Sequence, residues 1–180
     1  MLRPDARCDA IVTMDGSGIP IRISGYVLDG DRAGVPDAVI EVWQADPAGR
    51  YHARDAGVAA PTVEFAGFAR VGTDDRGAFA FTSIKPGSVP FDEATAQAPH
   101  LSVAVFARGL LNHLYTRLYF EDEPLTSSDP VLTRVPESRR HTLIGRVDRS
   151  SVAAGRTSYR FDIVLQGVDE TAFFDFKRAR

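Results

Sequence analysis

The chain has 180 residues and a formal net charge of −3 at pH 7, with 44% hydrophobic and 25% charged residues, so it reads as one globular domain able to bury a substantial core. That balance gives no electrostatic footing to a nucleic-acid or anionic-membrane partner, and no apolar run approaches the ~20 residues that span a bilayer. Residues 1–16 lack the apolar centre of a secretory signal, and Cys8 is the sole cysteine, which excludes an internal disulfide or cysteine metal cluster and makes the cytoplasm the expected compartment.

Residues 1–20 are polar and weakly patterned, and read as an N-terminal arm. Regular alternation begins at Ile21. IRISGYVLD places Ile21, Ile23, Tyr26 and Leu28 at half-buried strand positions, with Gly25 as a bulge or a point of close approach. After a Gly/Pro turn, AVIEVWQAD forms a second strand in which Val39, Glu41 and Trp43 face opposite to Ile40, Val42 and Gln44. Trp43 is expected in the core. Residues 52–71 carry no clean period and read as a long loop, a kind of segment that is usually functional or mobile. Asp74, Asp75 and Gly77 then form a hairpin-type turn before a strand bearing Phe79 and Phe81.

The stretch from Ala98 to Glu123 is the centre of the pattern. His100, Ser102, Ala104 and Phe106 face one way and Leu101, Val103 and Val105 the other. After a polar break, Leu114, Thr116, Leu118 and Phe120 oppose Tyr115, Arg117 and Tyr119. Two period-2 runs so spaced predict paired strands. Asp129, followed by Pro130, is a helix N-cap signal. SYRFDIVLQG alternates again, placing Tyr159, Phe161, Ile163 and Leu165 on one face, and ETAFFDF reads as a last short strand. Short strands with Gly/Pro turns and almost no helix predict an all-β fold, an antiparallel β-sandwich over residues 21–176, followed by a solvated basic tail at 177–180.

Chemistry is sparse on pattern alone. None of the four histidines, at 52, 100, 113 and 141, lies in a zinc motif. His100 would form a metal-binding edge with a histidine two residues on, but that position is Ser102, whose hydroxyl is a poor transition-metal ligand. Ser127 and Ser128 have no base placed by a recognisable motif. Glu121-Asp122-Glu123 reads as a solvated strand end. Arg108 and Arg117 interrupt apolar runs. Each is either a snorkelling or ion-paired structural arginine or part of a buried site that needs positive charge.

In order, GYVLDGDRAGVPDAVIEVWQADPAGRY, TDDRGAFAFTSIKPG, APHLSVAVFARG, LYTRLYFEDE, YRFDIVLQG and ETAFFDF resemble the intradiol ring-cleavage dioxygenases. The resemblance implies a ferric ion held by two tyrosines and two histidines, with the substrate bound as a catecholate and opened by O2 between its hydroxylated carbons. Phenolate is a hard anionic donor that forms at neutral pH only beside a strong Lewis acid. Where the family places its first tyrosine, this chain has Val58-Ala59-Ala60-Pro61. At the second it has Ser88-Val89-Pro90, and its H-x-H is His100-Leu101-Ser102.

One of four ligands remains, so no metal is expected in this chain and His100 is a remnant of the set. The last four blocks are similar to the subunit of the family's two-chain members that lacks iron. That likeness implies an iron-bearing β subunit of the same fold as partner, with protocatechuate and O2 at a shared site. It further implies Arg108, in FARG, as a substrate-binding residue, since a guanidinium pairs bidentately with the protocatechuate carboxylate. Arg117 receives no such role. Two departures stand out: residues 1–20 lack the family's T-P-S-Q-T-x-G-P arm, which implies a truncated chain, a misplaced start or divergence there, and Arg32 occupies a turn that prefers a small residue. The alternatives are a self-sufficient dioxygenase of unusual ligation and a prealbumin-like binding module.

Overall fold

The computed structural model describes residues 18–51, 67–151 and 156–175. The family's first tyrosine position, His52, Cys8, the bulk of the arm and the basic tail lie outside these residues. The strands are β1 (Pro20–Leu28), β2 (Val39–Trp43), β3 (Phe68–Gly72), β4 (Ala78–Ile84), β5 (Val89–Pro90), β6 (Ala96–Gln97), β7 (His100–Phe106), β8 (Leu114–Phe120), β9 (Ile144–Val147), β10 (Thr157–Arg160) and β11 (Ile163–Val164). One four-residue helix, Glu137–Arg140, and short 3-10 turns complete the described elements. The all-β fold expected from the sequence is therefore present. No described helix is long and apolar enough to cross a membrane.

A hydrogen-bonded path runs β4-β1-β10-β9-β8-β7-β2-β3, with β11 also beside β1. Its two ends are consecutive in the chain, because β3 leads into β4 through the Asp74 turn. There the Asp74 carboxylate accepts from the amides of Arg76 and Ala78. The turn closes as the hairpin-type turn expected, with the Gly77 amide on the Asp74 carbonyl and the Asp74 amide on the Ala78 carbonyl, but the strands then part: β3 pairs with β2 and β4 pairs with β1. The path thus curls almost closed around one core. Ile21 and Ile23 on β1, Ile40 and Val42 on β2, Phe79 and Phe81 on β4, and Leu101, Val103 and Val105 on β7 fill it.

Several expectations need correction. The sandwich is not purely antiparallel, since β1–β10, β1–β11 and β8–β9 are parallel. Long connections allow such pairing, and alternation in one strand carries no information about a neighbour's direction. The stretch read as a loop over 52–71 ends in β3, whose five residues are too few to show a period after an unpatterned run. Gly25 makes no bulge, because β1 pairs with β4 without a break from Pro20 to Tyr26. The buried phase runs Ile21, Ile23, Gly25, Val27, leaving Tyr26 and Leu28 facing away. Gly25 is instead a close approach, where an added Cβ would stand 1.7 Å from the Phe161 carbonyl oxygen. Arg32 has φ 64°, which explains a preference for small residues there. ETAFFDF contributes one bridge, Phe174 to Tyr115, among its described residues.

The acidic strand end is engaged as well. Asp122 accepts from the Tyr159 hydroxyl, and Lys85 pairs with Asp122 and Glu123. Ser127 and Ser128 donate to Pro124 and Leu125 carbonyls within their own turn.

Candidate functional site

Cross-strand register brings the sequence-flagged residues to one face. Pairing of β7 with β8 sets His100 opposite Tyr119 and Ser102 opposite Arg117, while β2 puts Trp43 opposite Ser102. All point away from the core enclosed by the sheet, and Tyr119 packs instead in a second buried cluster with Ala98, Leu132 and Leu143. Directly opposed residues have Cβ atoms about 4.5–5.5 Å apart, so these side chains form a contiguous cluster. Trp43 is 38% exposed and stands on this outer face, against the expectation that it fills the core.

His100 is buried, with 2% exposure. Its Nδ1 lies 2.7 Å from the Ala98 carbonyl oxygen. A carbonyl only accepts, so Nδ1 carries the proton and Nε2 presents its lone pair. That lone pair faces the Tyr51 hydroxyl, which donates across 3.4 Å. Burial, reinforced by the positive charge of Arg117, pushes the His100 pKa down to about 4, against the Ala98 hydrogen bond and the charge of Asp129. The imidazole is neutral near pH 7.

Tyr51 arrives through a turn built by the WQAD segment. Buried Gln44 donates to the Ile84 carbonyl. The Asp46 carboxylate accepts from the Ala48 and Arg50 amides and pairs with the Arg50 guanidinium. Gly49, at φ 78°, lies where a Cβ would strike the Ser88 carbonyl oxygen. Burial raises the pKa of the Tyr51 phenol, although Arg117 and a Ser102 hydrogen bond oppose the shift.

Arg117 is half-buried at the centre. Its Nη1 donates to Gln97 Oε1 at 2.8 Å and to the Tyr119 hydroxyl at 3.2 Å. Tyr119 donates in turn to Asp129 Oδ1 at 2.9 Å, and burial drives its pKa well above the ordinary phenol range. Asp129, 1% exposed, also accepts from the amides of Ala98, Val131 and Leu132. The last two close a turn around Pro130; the helix expected to start there is only the 3-10 turn Leu132–Arg134, and Asp129 ends the preceding 3-10 turn, Pro124–Ser128. The remaining pair organises the site: one carboxylate anchors the backbone two residues before His100 and the phenol that steadies Arg117.

Arg108 stands elsewhere. It follows the far end of β7, roughly 20 Å along the strand from His100 at ~3.4 Å per residue. Its side chain is 79% exposed and lies 3.4 Å from the Asp37 carboxylate. The structure does not bring Arg108 and His100 together. His113 stacks on Phe106 and meets Tyr115 edge-on, and His141 is exposed.

The donor set does not fit the ferric ion that the resemblance implies. At the second tyrosine position stand Val89, buried, and Pro90, exposed. Among the described residues no three His, Cys, Asp or Glu side chains converge. What converges on His100 is a protonated phenol and a fixed guanidinium, whose charge repels a trivalent cation. Sequence reasoning missed Tyr51, because it lies outside the expected ligand position. It also left Arg117 as a structural residue. The signal for Arg117 was its outward strand phase, shared with Tyr119, although the opposing residue is fixed only by the pairing.

A family model described as Dioxygenase matches residues 5–167. The protocatechuate 3,4-dioxygenase alpha chain of Burkholderia cepacia is 44% identical over 169 residues, covering 92% of this chain and 81% of that protein. The beta chain from the same organism is 36% identical over 171 residues, covering 93% of this chain and 73% of its own length. The solved dioxygenase domain of a carbohydrate-binding fusion protein from Streptomyces sp. SirexAA-E superposes with a TM-score of 0.69 at 26% identity, covering 93% of each chain.

Proposed function

This chain belongs to the intradiol ring-cleavage dioxygenase family, and from that membership we propose that it is the alpha chain of a protocatechuate 3,4-dioxygenase. In this reading a beta subunit of the same fold holds the ferric iron and opens protocatechuate with O2 to 3-carboxy-cis,cis-muconate. The present chain shapes the pocket and holds no metal. The observation that carries the reading is the Arg117 guanidinium opposite Ser102, at the strand position where the family has its second histidine. The higher identity to an alpha chain than to a beta chain supports the same assignment.

Arg108 has the substrate-facing role in this proposal. Its 79% exposure and its distance from His100 suit a side chain that serves a site completed by another subunit. The guanidinium pairs with the ring carboxylate and orients the ring. Asp37, its exposed partner, gives it up at little cost, because surface ion pairs contribute about 0–1 kcal/mol.

The test is co-expression with a beta chain bearing both tyrosines and the H-x-H pair. The complex is expected to bind iron, show the visible tyrosinate-to-iron absorption and cleave protocatechuate, while this chain alone stays colourless and inactive. Stoichiometric iron with that absorption in the isolated chain would overturn the division of roles and favour a self-sufficient enzyme using Tyr51 and His100. A complex that forms but cleaves no catechol would overturn the activity itself.

A further inference from the structure

Among the described residues β4 ends the hydrogen-bonded path. It pairs with β1 from Ile84 opposite Pro20 to Ala78 opposite Tyr26, without a bulge. The Val27 amide donates to the Gly77 carbonyl and the Lys85 amide to the Ile19 carbonyl, which fixes the phase of that ladder. Bonded pairs alternate in an antiparallel ladder. Phe79, Phe81 and Ser83 therefore spend their backbone groups on β1, while Ala80 and Thr82 turn theirs outward. The strand reads AFAFTSI, with none of the charges or prolines that usually blunt an edge. Along its outward side lies a cavity of about 470 Å³, bounded by Ala78 and Ala80 of β4 and by Val71 and Gly72 of β3.

The two linings of this cavity differ in chemistry. On the outer face Arg22 stands opposite Thr82 and Arg160 opposite Ser24, and both guanidinium groups border the cavity. Arg160 is held in place, donating from Nε to Asp162 at 2.7 Å and lying 4.6 Å over the Tyr26 ring. Arg146 faces Arg160 directly across β9 and β10. Like charges so opposed are destabilising, and an acidic group brought to this face relieves them. Asp74, the carboxylate in the lining, sits at the turn and accepts from the Arg76 and Ala78 amides. On the inner side Val71 and Phe79 belong to the core and also line the cavity.

We propose that β4 accepts an added strand from another polypeptide, an extended segment that alternates acidic and apolar residues. Its backbone pairs with Ala80 and Thr82. Its acidic side chains lie on the outer face toward Arg22 and Arg160, and its apolar ones cover Val71 and Phe79. A strand sends successive side chains to opposite faces, so one period-2 segment meets both linings. In such strand addition main-chain bonds give affinity and alternate side chains give choice of partner. The site uses no residue of β2, β7 or β8 and is independent of the proposed activity.

The full chain is titrated into a fluorescein-labelled peptide that alternates valine and glutamate over the length of β4. Two control peptides keep the valines and glutamates in separate blocks or replace each glutamate by lysine. The alternating acidic peptide is expected to give saturable anisotropy where the controls give none, and to slow hydrogen exchange at the Ala80 and Thr82 amides. Arg22 is exposed, and Arg22→Glu should weaken binding by at least about tenfold, the scale of a lost charged hydrogen bond. Ala80→Pro removes an outward N–H and leaves the β1 ladder intact; it should weaken binding by at least about threefold. Thermal melts confirm that both variants are folded. Equal binding of either control peptide, an unchanged affinity in either folded variant, or unaltered exchange at those two amides would each overturn the site. Self-association that Ala80→Pro abolishes, with no peptide binding, would assign the edge to a second copy of the chain and overturn the acidic partner.

Discussion

Replacing Asp129 by alanine should be among the most damaging single changes in the described structure. Its carboxylate is fully buried and accepts four hydrogen bonds, from the amides of Ala98, Val131 and Leu132 and the hydroxyl of Tyr119. Alanine leaves four donors without that acceptor, two of them around the His100 strand. An unsatisfied buried donor costs about 1–3 kcal/mol, and such losses in one network are not additive. Since part of the gap admits water, an overall loss of about 3–5 kcal/mol is expected, as for one member removed from a buried ionic pair.

At about 2–4 °C per kcal/mol for a chain of this size, that loss is a fall of roughly 6–20 °C in Tm. Asparagine separates charge from shape. It can keep the Oδ1 contacts to Tyr119, Val131 and Leu132 but turns an amide donor toward the Ala98 N–H. Thermal and urea unfolding followed by Trp43 fluorescence should therefore rank wild type above Asp129→Asn and Asp129→Asn above Asp129→Ala. An alanine variant within about 1 kcal/mol of wild type would refute the hub.

The depressed pKa of His100 makes stability depend on pH. The folded imidazole resists protonation down to about 4, whereas the unfolded one titrates near 6.5. The unfolded state therefore binds more protons between those values, and stability is full above about 6.5 and lost as pH falls toward 4, by roughly 3 kcal/mol. His100→Gln should flatten that part of the stability profile, and NMR should show the Nδ1–H tautomer persisting at pH 5. Because the Arg117 charge lowers this pKa, Arg117→Gln should raise the His100 midpoint in the same titration; a fall would contradict the arrangement. Gly25→Ala should destabilise the fold by more than about 3 kcal/mol, beyond ordinary overpacking, because its Cβ meets the Phe161 carbonyl oxygen, and a soluble variant with an unchanged melt would refute that contact. In a reconstituted two-chain enzyme, Arg108→Ala should lower kcat/KM for protocatechuate by about 1.5–3 kcal/mol, roughly ten- to a hundredfold, and unchanged kinetics would remove Arg108 from the shared site.

What could be read from the chain followed the range of each signal. The faces of β7 and β8 were legible because alternation is a local property of neighbouring residues. Asp129 was legible as a carboxylate that binds its own following backbone, since its amide partners lie two and three residues on, although the helix expected after it is only a 3-10 turn. Its other partners, Ala98 and Tyr119, are 31 and 10 residues away, and no local rule links them. The role of Arg117 depends on which residue faces it across the sheet. The chain shows its phase but not its register, so a residue read as structural proved to be the central charge of the cluster. Tyr51 shows the converse: an expectation tied to a position in sequence passed over a phenol that a tight turn brings to the imidazole.

The opposition of Ser102 and Arg117 also sets the order in which a second imidazole could be engineered onto this face. Histidine at position 102 would sit across from a planar cation already tethered by Gln97 and Tyr119. The cation would hold that ring protonation-averse and repel a ferric ion. Such a redesign has to begin on β8, with the arginine replaced before any ligand is added.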